Sequence, residues 1–141
     1  MRREGTRGSS IVEFSLLVPW YIFLFAGAFD YGFFSYSLIA AQNAARVSAM
    51  FCSASASAAV DSATACSYSL DQLRNMPNVG TGLSTCSASP LTVTASAVTG
   101  PDGAAAASVT VTYTTPQLIP IPGLIPGQLT VSRTVQMKLR S

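Results

Sequence analysis

The chain has 141 residues, room for one domain or one small domain with an appendage. Charged residues make up only 10%, against roughly 25% in an average soluble protein, while 49% are hydrophobic and none is histidine. These values argue against an ordinary cytosolic enzyme and against a nucleic-acid binder, which would carry a basic patch on a strongly positive domain. The formal charge of +2 means little until its distribution is known.

That distribution divides the chain into two unlike parts behind a short basic leader, residues 1–8, which holds Arg2, Arg3, Arg7 and Glu4. Eleven of the thirteen aromatic residues lie between Phe14 and Phe51, and the last ninety residues are built mainly of Ala, Ser, Thr, Val, Pro and Gly. Between Phe14 and Ala45 the single charge is Asp30. Ile11 to Phe29 is a mostly apolar run, broken by Glu13, Ser15, Pro19 and Gly27. As a helix it would span roughly 28 Å, close to a bilayer core of about 30 Å. Arginines stand only before it, so the positive-inside rule keeps the N-terminus cytoplasmic and exports the remainder. A buried core helix is the competing reading, but the following residues are too poor in large apolar groups to wrap one. A cleaved signal peptide is another. Its one small-residue site, Ala26-Gly27-Ala28, would leave an aromatic helix (Tyr31, Phe33, Phe34, Tyr36) with nothing to pack on.

Glu13 is the residue this membrane reading must explain. A carboxylate deep in a bilayer costs a few kcal/mol even on translocon scales. It could simply sit at the interface, near a helix N-terminus that favours an anion. The residues around it point further. In Arg7-Gly8-Ser9-Ser10-Ile11-Val12-Glu13-Phe14, a glycine ends the basic leader, with a glutamate five residues on and an aromatic at six. This resembles a prepilin peptidase site of the type IV pilin superfamily. The resemblance implies a cut between Gly8 and Ser9, with Glu13 and Phe14 in recognition and assembly. The new α-ammonium of one subunit would pair with Glu13 of a neighbour, and an unpaired buried carboxylate is costly enough for that pairing to set axial register. Losing residues 1–8 removes three arginines and one glutamate, leaving five basic and five acidic side chains, a neutral chain.

Further motifs follow in order: Leu16-Leu17-Val18-Pro19, Phe29-Asp30-Tyr31-Gly32 and Gln42-Asn43-Ala44-Ala45-Arg46. With Val12-Glu13-Phe14 they make residues 7–50 similar to the TadE-like pilus-assembly family, minor pilins or pseudopilins of tight-adherence (Flp, type IVc) pili. Two positions depart from the family pattern: Val47-Ser48 replace an acidic residue and Gly, and Asp30 replaces the more usual glutamate. The resemblance implies a role in pilus assembly or initiation and in surface adherence. Its implied partners are the prepilin peptidase, the major pilin, other minor pilins and the assembly platform. Its implied location is the inner membrane with a periplasmic C-terminal domain, and then the pilus outside the cell.

The helix is expected to continue beyond the membrane to about Phe51, with Ile39, Asn43 and Arg46 recurring at helical spacing. Pro19 marks a kink or a locally melted turn. Residues 9–51 are thus the long helix, its span about 11–29, and residues 52–141 a small exported domain. Asp61, Cys66, Leu70 and Leu73 predict a short helix over about 61–76, ended by Met76-Pro77. Alternation at Leu91, Val93, Ala95 and Ala97 predicts a strand, Gly100 to Gly103 a turn, and Val109, Val111 and Tyr113 the return strand. A third alternation, Leu129 to Leu139, closes the sheet, interrupted by Arg133. The expected class is α+β: a long transmembrane helix, then a small, mainly antiparallel sheet, as in pilins. Pro116 to Gly127, with four prolines and two glycines, excludes a central strand. Its Leu118, Ile119, Ile121, Leu124 and Ile125 could contact a partner subunit or fold back on their own sheet.

Three cysteines (Cys52, Cys66, Cys86) in an oxidising compartment allow one disulfide and three pairings. Cys66–Cys86 would fasten the short helix to the start of the first strand. Without histidine, Ser-His and Cys-His nucleophiles are excluded, and no phosphate-cradling or metal-ligand motif occurs, so no catalysis, metal or cofactor is expected. The alternative to a pilus subunit is an uncleaved, single-pass anchored binding or adhesive module with the same topology.

Overall fold

A computed structural model describes residues 7–80, 82–119 and 127–140 of the chain. One α-helix, α1, runs from Arg7 to Cys52, about 69 Å at ~1.5 Å per residue. It passes through Pro19 without a break, so the expected melted turn does not form. Proline removes one N–H from the ladder, a small deficit in a helix of 46 residues.

After α1 the chain turns through a single 3-10 turn (Ala58–Val60) into α2, Ser62–Leu73. Asp61 caps α2: its carboxylate accepts from the amides of Ala63 at 3.1 Å and Thr64 at 3.0 Å, two donors the helix itself cannot satisfy. The helix ends three residues short of the sequence expectation, with Met76-Pro77 beyond it.

Four strands follow: β1 (Ser87–Ala88), β2 (Leu91–Thr99), β3 (Ala105–Thr114) and β4 (Thr130–Lys138). They form an antiparallel meander in the order β1-β2-β3-β4. The β2–β3 turn places Gly103 at φ 75°, a left-handed conformation that glycine adopts without penalty. Arg133 does not interrupt β4; it stays in the ladder opposite Val111.

The period of two puts Leu91, Val93, Val109, Val111, Tyr113 and Val131 on one buried face. That face packs on α1 and α2. The buried row of α1 is made of small residues, Ala41, Ala44, Ala45, Ser48, Ala49 and Cys52, which let the helix backbone approach the sheet closely. Ile39, Asn43 and Arg46, the row picked out by spacing in the sequence, lie on the opposite, exposed face. Where α1 meets α2, Ser48 Oγ donates to the Ala65 carbonyl at 3.0 Å and lies 2.8 Å from Ser69 Oγ, so these buried hydroxyls are satisfied. On the outer face Thr110 and Thr134 face each other across β3 and β4 with hydroxyls 2.8 Å apart.

Two ties fix the direction of the sheet relative to α1. The Arg140 amide donates to the Ser53 carbonyl at 2.9 Å, joining the end of β4 to the end of α1. Further back, Arg133 shares a groove with Leu38, Ile39, Gln42 and Asn43. β4 therefore runs along α1 in the same direction, and the β3–β4 connection lies at the end of the domain that faces the N-terminal half of α1.

Leu73 is wholly buried between α2 and the sheet. Leu73→Ala should destabilise the exported domain by about 2–5 kcal/mol, read as a lower denaturant midpoint with an unchanged slope. Tyr113 is also buried, and its hydroxyl donates to Asn78 Oδ1 at 2.5 Å while Asn78 Nδ2 holds the Thr114 carbonyl at 2.7 Å. Burial pushes the Tyr113 hydroxyl up to about 12. An unfolded tyrosine loses its proton near pH ~10, so stability should fall as pH rises from there towards the folded value. Tyr113→Phe should remove that alkaline loss in thermal melts followed across the same window.

Candidate assembly surface

The first half of α1 is apolar and uncovered. Ile11, Phe14, Leu16, Trp20, Ile22, Phe25 and Phe29 are all exposed, an apolar surface far beyond what isolated soluble domains present. The helix has the length and composition to cross a membrane, and no part of its most apolar stretch is buried. Asp30 stands at the end of this surface. From there to Cys52 one face of α1 is covered by the sheet domain and the other remains exposed, including Tyr31, Tyr36, Ile39 and Met50.

Gly8 and Ser9 fall in the first turn of α1, and Glu13 and Phe14 follow on its exposed surface one turn later. These four residues therefore share one end of one helix, as their spacing requires. Cys66 of α2 and Cys86, next to β1, are joined by a disulfide. It clips α2 to the sheet edge, beside a hollow of about 550 Å³ lined by uncharged residues such as Ser62, Thr92 and Thr94. Cys52 is a buried free thiol, held above its usual range first by burial and then by the Asp61 carboxylate. Such a thiol is a weak nucleophile.

In the β3–β4 connection, the Thr115 amide donates to the Leu129 carbonyl at 2.8 Å and Leu118 to the Gly127 carbonyl at 2.6 Å. These bonds extend the hairpin as a neck towards the membrane segment. Leu118 is half-buried and Ile119 is exposed; Ile121, Leu124 and Ile125 lie outside the described residues. The structure does not bring this neck near Glu13: at ~1.5 Å per residue the glutamate lies about 25 Å further along α1 than Asp30.

Asp30, part of the Phe29-Asp30-Tyr31-Gly32 motif, is enclosed by the fold. It is 1% exposed, and neither carboxylate oxygen has a hydrogen-bond partner among the described residues. The available signal was phase: Asp30, Ser37, Ala41, Ala44 and Ser48 share one helical face, the one covered by the domain.

The fold defines an α+β protein whose one long helix is apolar enough to cross a membrane in its first half and carries the sheet domain on its second. Within it, residues 8–50 match the family model described as TadE-like protein, which covers α1 almost from end to end and stops before the sheet domain. The match coincides with the segment that resembles the pilus-assembly family in sequence. No curated protein and no solved structure matches the chain.

Because the apolar surface belongs to a helix continuous with the domain, the protein should remain in the membrane pellet after alkaline carbonate washing. Recovery of the full chain in the supernatant would contradict the spanning assignment.

Proposed function

We propose that the chain is a minor pilin or pseudopilin of a tight-adherence (Flp, type IVc) pilus. The observation that carries this reading is the coincidence, on one unbroken TadE-like helix, of Gly8, Glu13 at the fifth place beyond it, and an uncovered apolar surface. In this reading the prepilin peptidase cuts between Gly8 and Ser9 on the cytoplasmic side, and α1 then holds the subunit in the inner membrane with its sheet domain in the periplasm. During assembly the same apolar surface exchanges lipid for the helices of other subunits, the major pilin and its companion minor pilins, at the assembly platform. Helices leave lipid for one another through close packing and satisfied polar groups, since lipid is as apolar as they are. Glu13 supplies the polar element: paired with the new α-ammonium of a neighbour, it rewards one axial register over others. The protein then contributes to pilus initiation and to surface adherence.

An uncleaved anchored binding module is the second reading, favoured by the exposed Ile119 in the hairpin neck. The N-terminus separates the two. Protein from membranes of cells with a working peptidase should begin at Ser9, by intact mass or N-terminal sequencing; a chain still beginning at Met1 would refute the pilin reading. Gly8→Ala should block this maturation. Glu13→Val should insert and mature normally yet lower recovery in sheared pili by about tenfold or more, the factor that ~1.4 kcal/mol per contact produces. Recovery at the normal level would overturn the register role of Glu13.

A further inference from the structure

We propose that the β3–β4 hairpin neck is a second membrane contact, with Leu118 and Ile119 resting in the lipid interface beside α1, on the domain side of the bilayer. The proposal rests on α1 spanning the membrane and is independent of cleavage at Gly8.

The neck is a held element, not a slack connection. Thr115 is wholly buried, and its polar groups are engaged across the hairpin. Its amide donates to the Leu129 carbonyl at 2.8 Å, its hydroxyl accepts from the Leu129 amide at 3.0 Å, and its carbonyl accepts from Gln128 Nε2 at 3.0 Å. Three residues on, the Leu118 amide donates to the Gly127 carbonyl at 2.6 Å. The hairpin thus carries Leu118 and Ile119 out beyond the sheet, and Ile119 is 53% exposed.

Two fixed points along β4 set the depth of the neck. Arg140 is bonded to Ser53, and Arg133 shares its groove with Leu38, Ile39, Gln42 and Asn43. The strand from Arg133 to Arg140 therefore advances by about 10–15 residues of α1, roughly 15–23 Å at ~1.5 Å per residue. At the same pitch the strand from Arg133 back to Gly127 advances about 13–19 Å further, to the level of about residues 25–34 of α1. The uncovered apolar run ends at that level. Phe29 is exposed there, followed by exposed Tyr31 and Tyr36, side chains that favour the headgroup level of a bilayer. An isoleucine held at this depth beside a spanning helix lies at the lipid surface.

Charge identifies what it meets. Between Asp102 and Arg133 the sequence has no charged residue. Capture of anionic headgroups needs Lys or Arg at the surface. Burial of leucine and isoleucine at the headgroup–acyl boundary needs neither, and is driven by the apolar area removed from water. The partner is thus the lipid interface itself, whatever its headgroup charge. Anchored at α1 and again at the neck, the sheet domain is fixed in its rotation about the helix.

The test uses the full-length protein in phosphatidylcholine vesicles, at a protein-to-lipid ratio low enough that copies seldom meet. In a Cys52→Ala background, an environment-sensitive fluorophore is placed on Ile119→Cys or, at the opposite end of the sheet, on Thr99→Cys. The probe at 119 should emit to the blue of the probe at 99 and be quenched about twofold or more by lipid spin-labelled near the headgroup, with the probe at 99 unaffected. Adding phosphatidylglycerol should change neither result. Aqueous emission at 119, immersion only with anionic lipid, or immersion only at high protein density would each overturn the proposal, the last by showing that a second copy covers the neck. With the probe on exposed Gln117→Cys, Ile119→Asp should restore aqueous emission without lowering the melting temperature; unchanged immersion would overturn the role of Ile119. Carbonate washing of the same vesicles separates the two claims. A released chain would sink the spanning assignment, whereas a retained chain with aqueous emission at 119 would sink the neck contact alone.

Discussion

A single unbroken backbone, α1, must satisfy two different solvents, and the rest of the molecule follows from how it does so. In the bilayer every backbone group has to be bonded within the segment, which only a regular helix achieves for a lone span. Beyond Asp30 the same helix becomes the core element of a water-exposed domain. Its chemistry changes accordingly, from large apolar side chains on every side to a stripe of alanines and serines on one face. The stripe explains how so aromatic-poor a domain can have a core. Small residues on α1 bring the sheet close enough for Val109, Val111 and Tyr113 of β3 to pack against its backbone, and the buried serine hydroxyls find partners. The disulfide from Cys66 to Cys86 adds a covalent clip where the two-residue β1 offers little pairing.

The sequence made the architecture legible because its signals were strong and unopposed. The long helix, the capped α2 and three alternating strands were expected, and the α+β class with a long apolar helix and a small antiparallel sheet is what the chain adopts. β1 could not be read, since two residues carry no period and its pairing depends on the turn that follows. At Pro19 the expectation was a kink or a melted turn, and the continuous helix excludes the melted turn. The periodic row Ile39, Asn43 and Arg46 drew notice because its residues are large, yet the packing face is the small-residue row beside it. Spacing identifies a face. It does not say which solvent the face meets.

The candidate site was legible to a different degree. Gly8, Glu13 and Phe14 were found by their order, since a peptidase reads a short linear segment and needs no fold to bring it together. Asp30 was visible in its motif but its enclosure was not, because a lone acid in an apolar stretch looks the same whether it is solvated or enclosed. Only the arrangement of the domain over α1 distinguishes these cases, and that arrangement depends on long-range pairing of β3 with β4 and on the tie between Arg140 and Ser53.

The charges now have a layout that the near-neutral total hides. Asp71 and Asp102 are engaged at the surface with Arg74 and Lys138, exposed pairs worth at most about 1 kcal/mol each, and Asp61 serves its helix as a cap. Glu13 and Asp30 both sit on α1, N-terminal to the domain core. Arg46, Arg133 and Arg140, for which no ion pair is seen among the described residues, sit on the domain side. On the proposed pilin reading, the few charges count most where α1 helices of different copies pack. A low charge count then favours specificity: with few charges in an apolar interface, a wrong register leaves a buried charge unmatched, and that penalty, more than the attraction of the right pair, selects the arrangement.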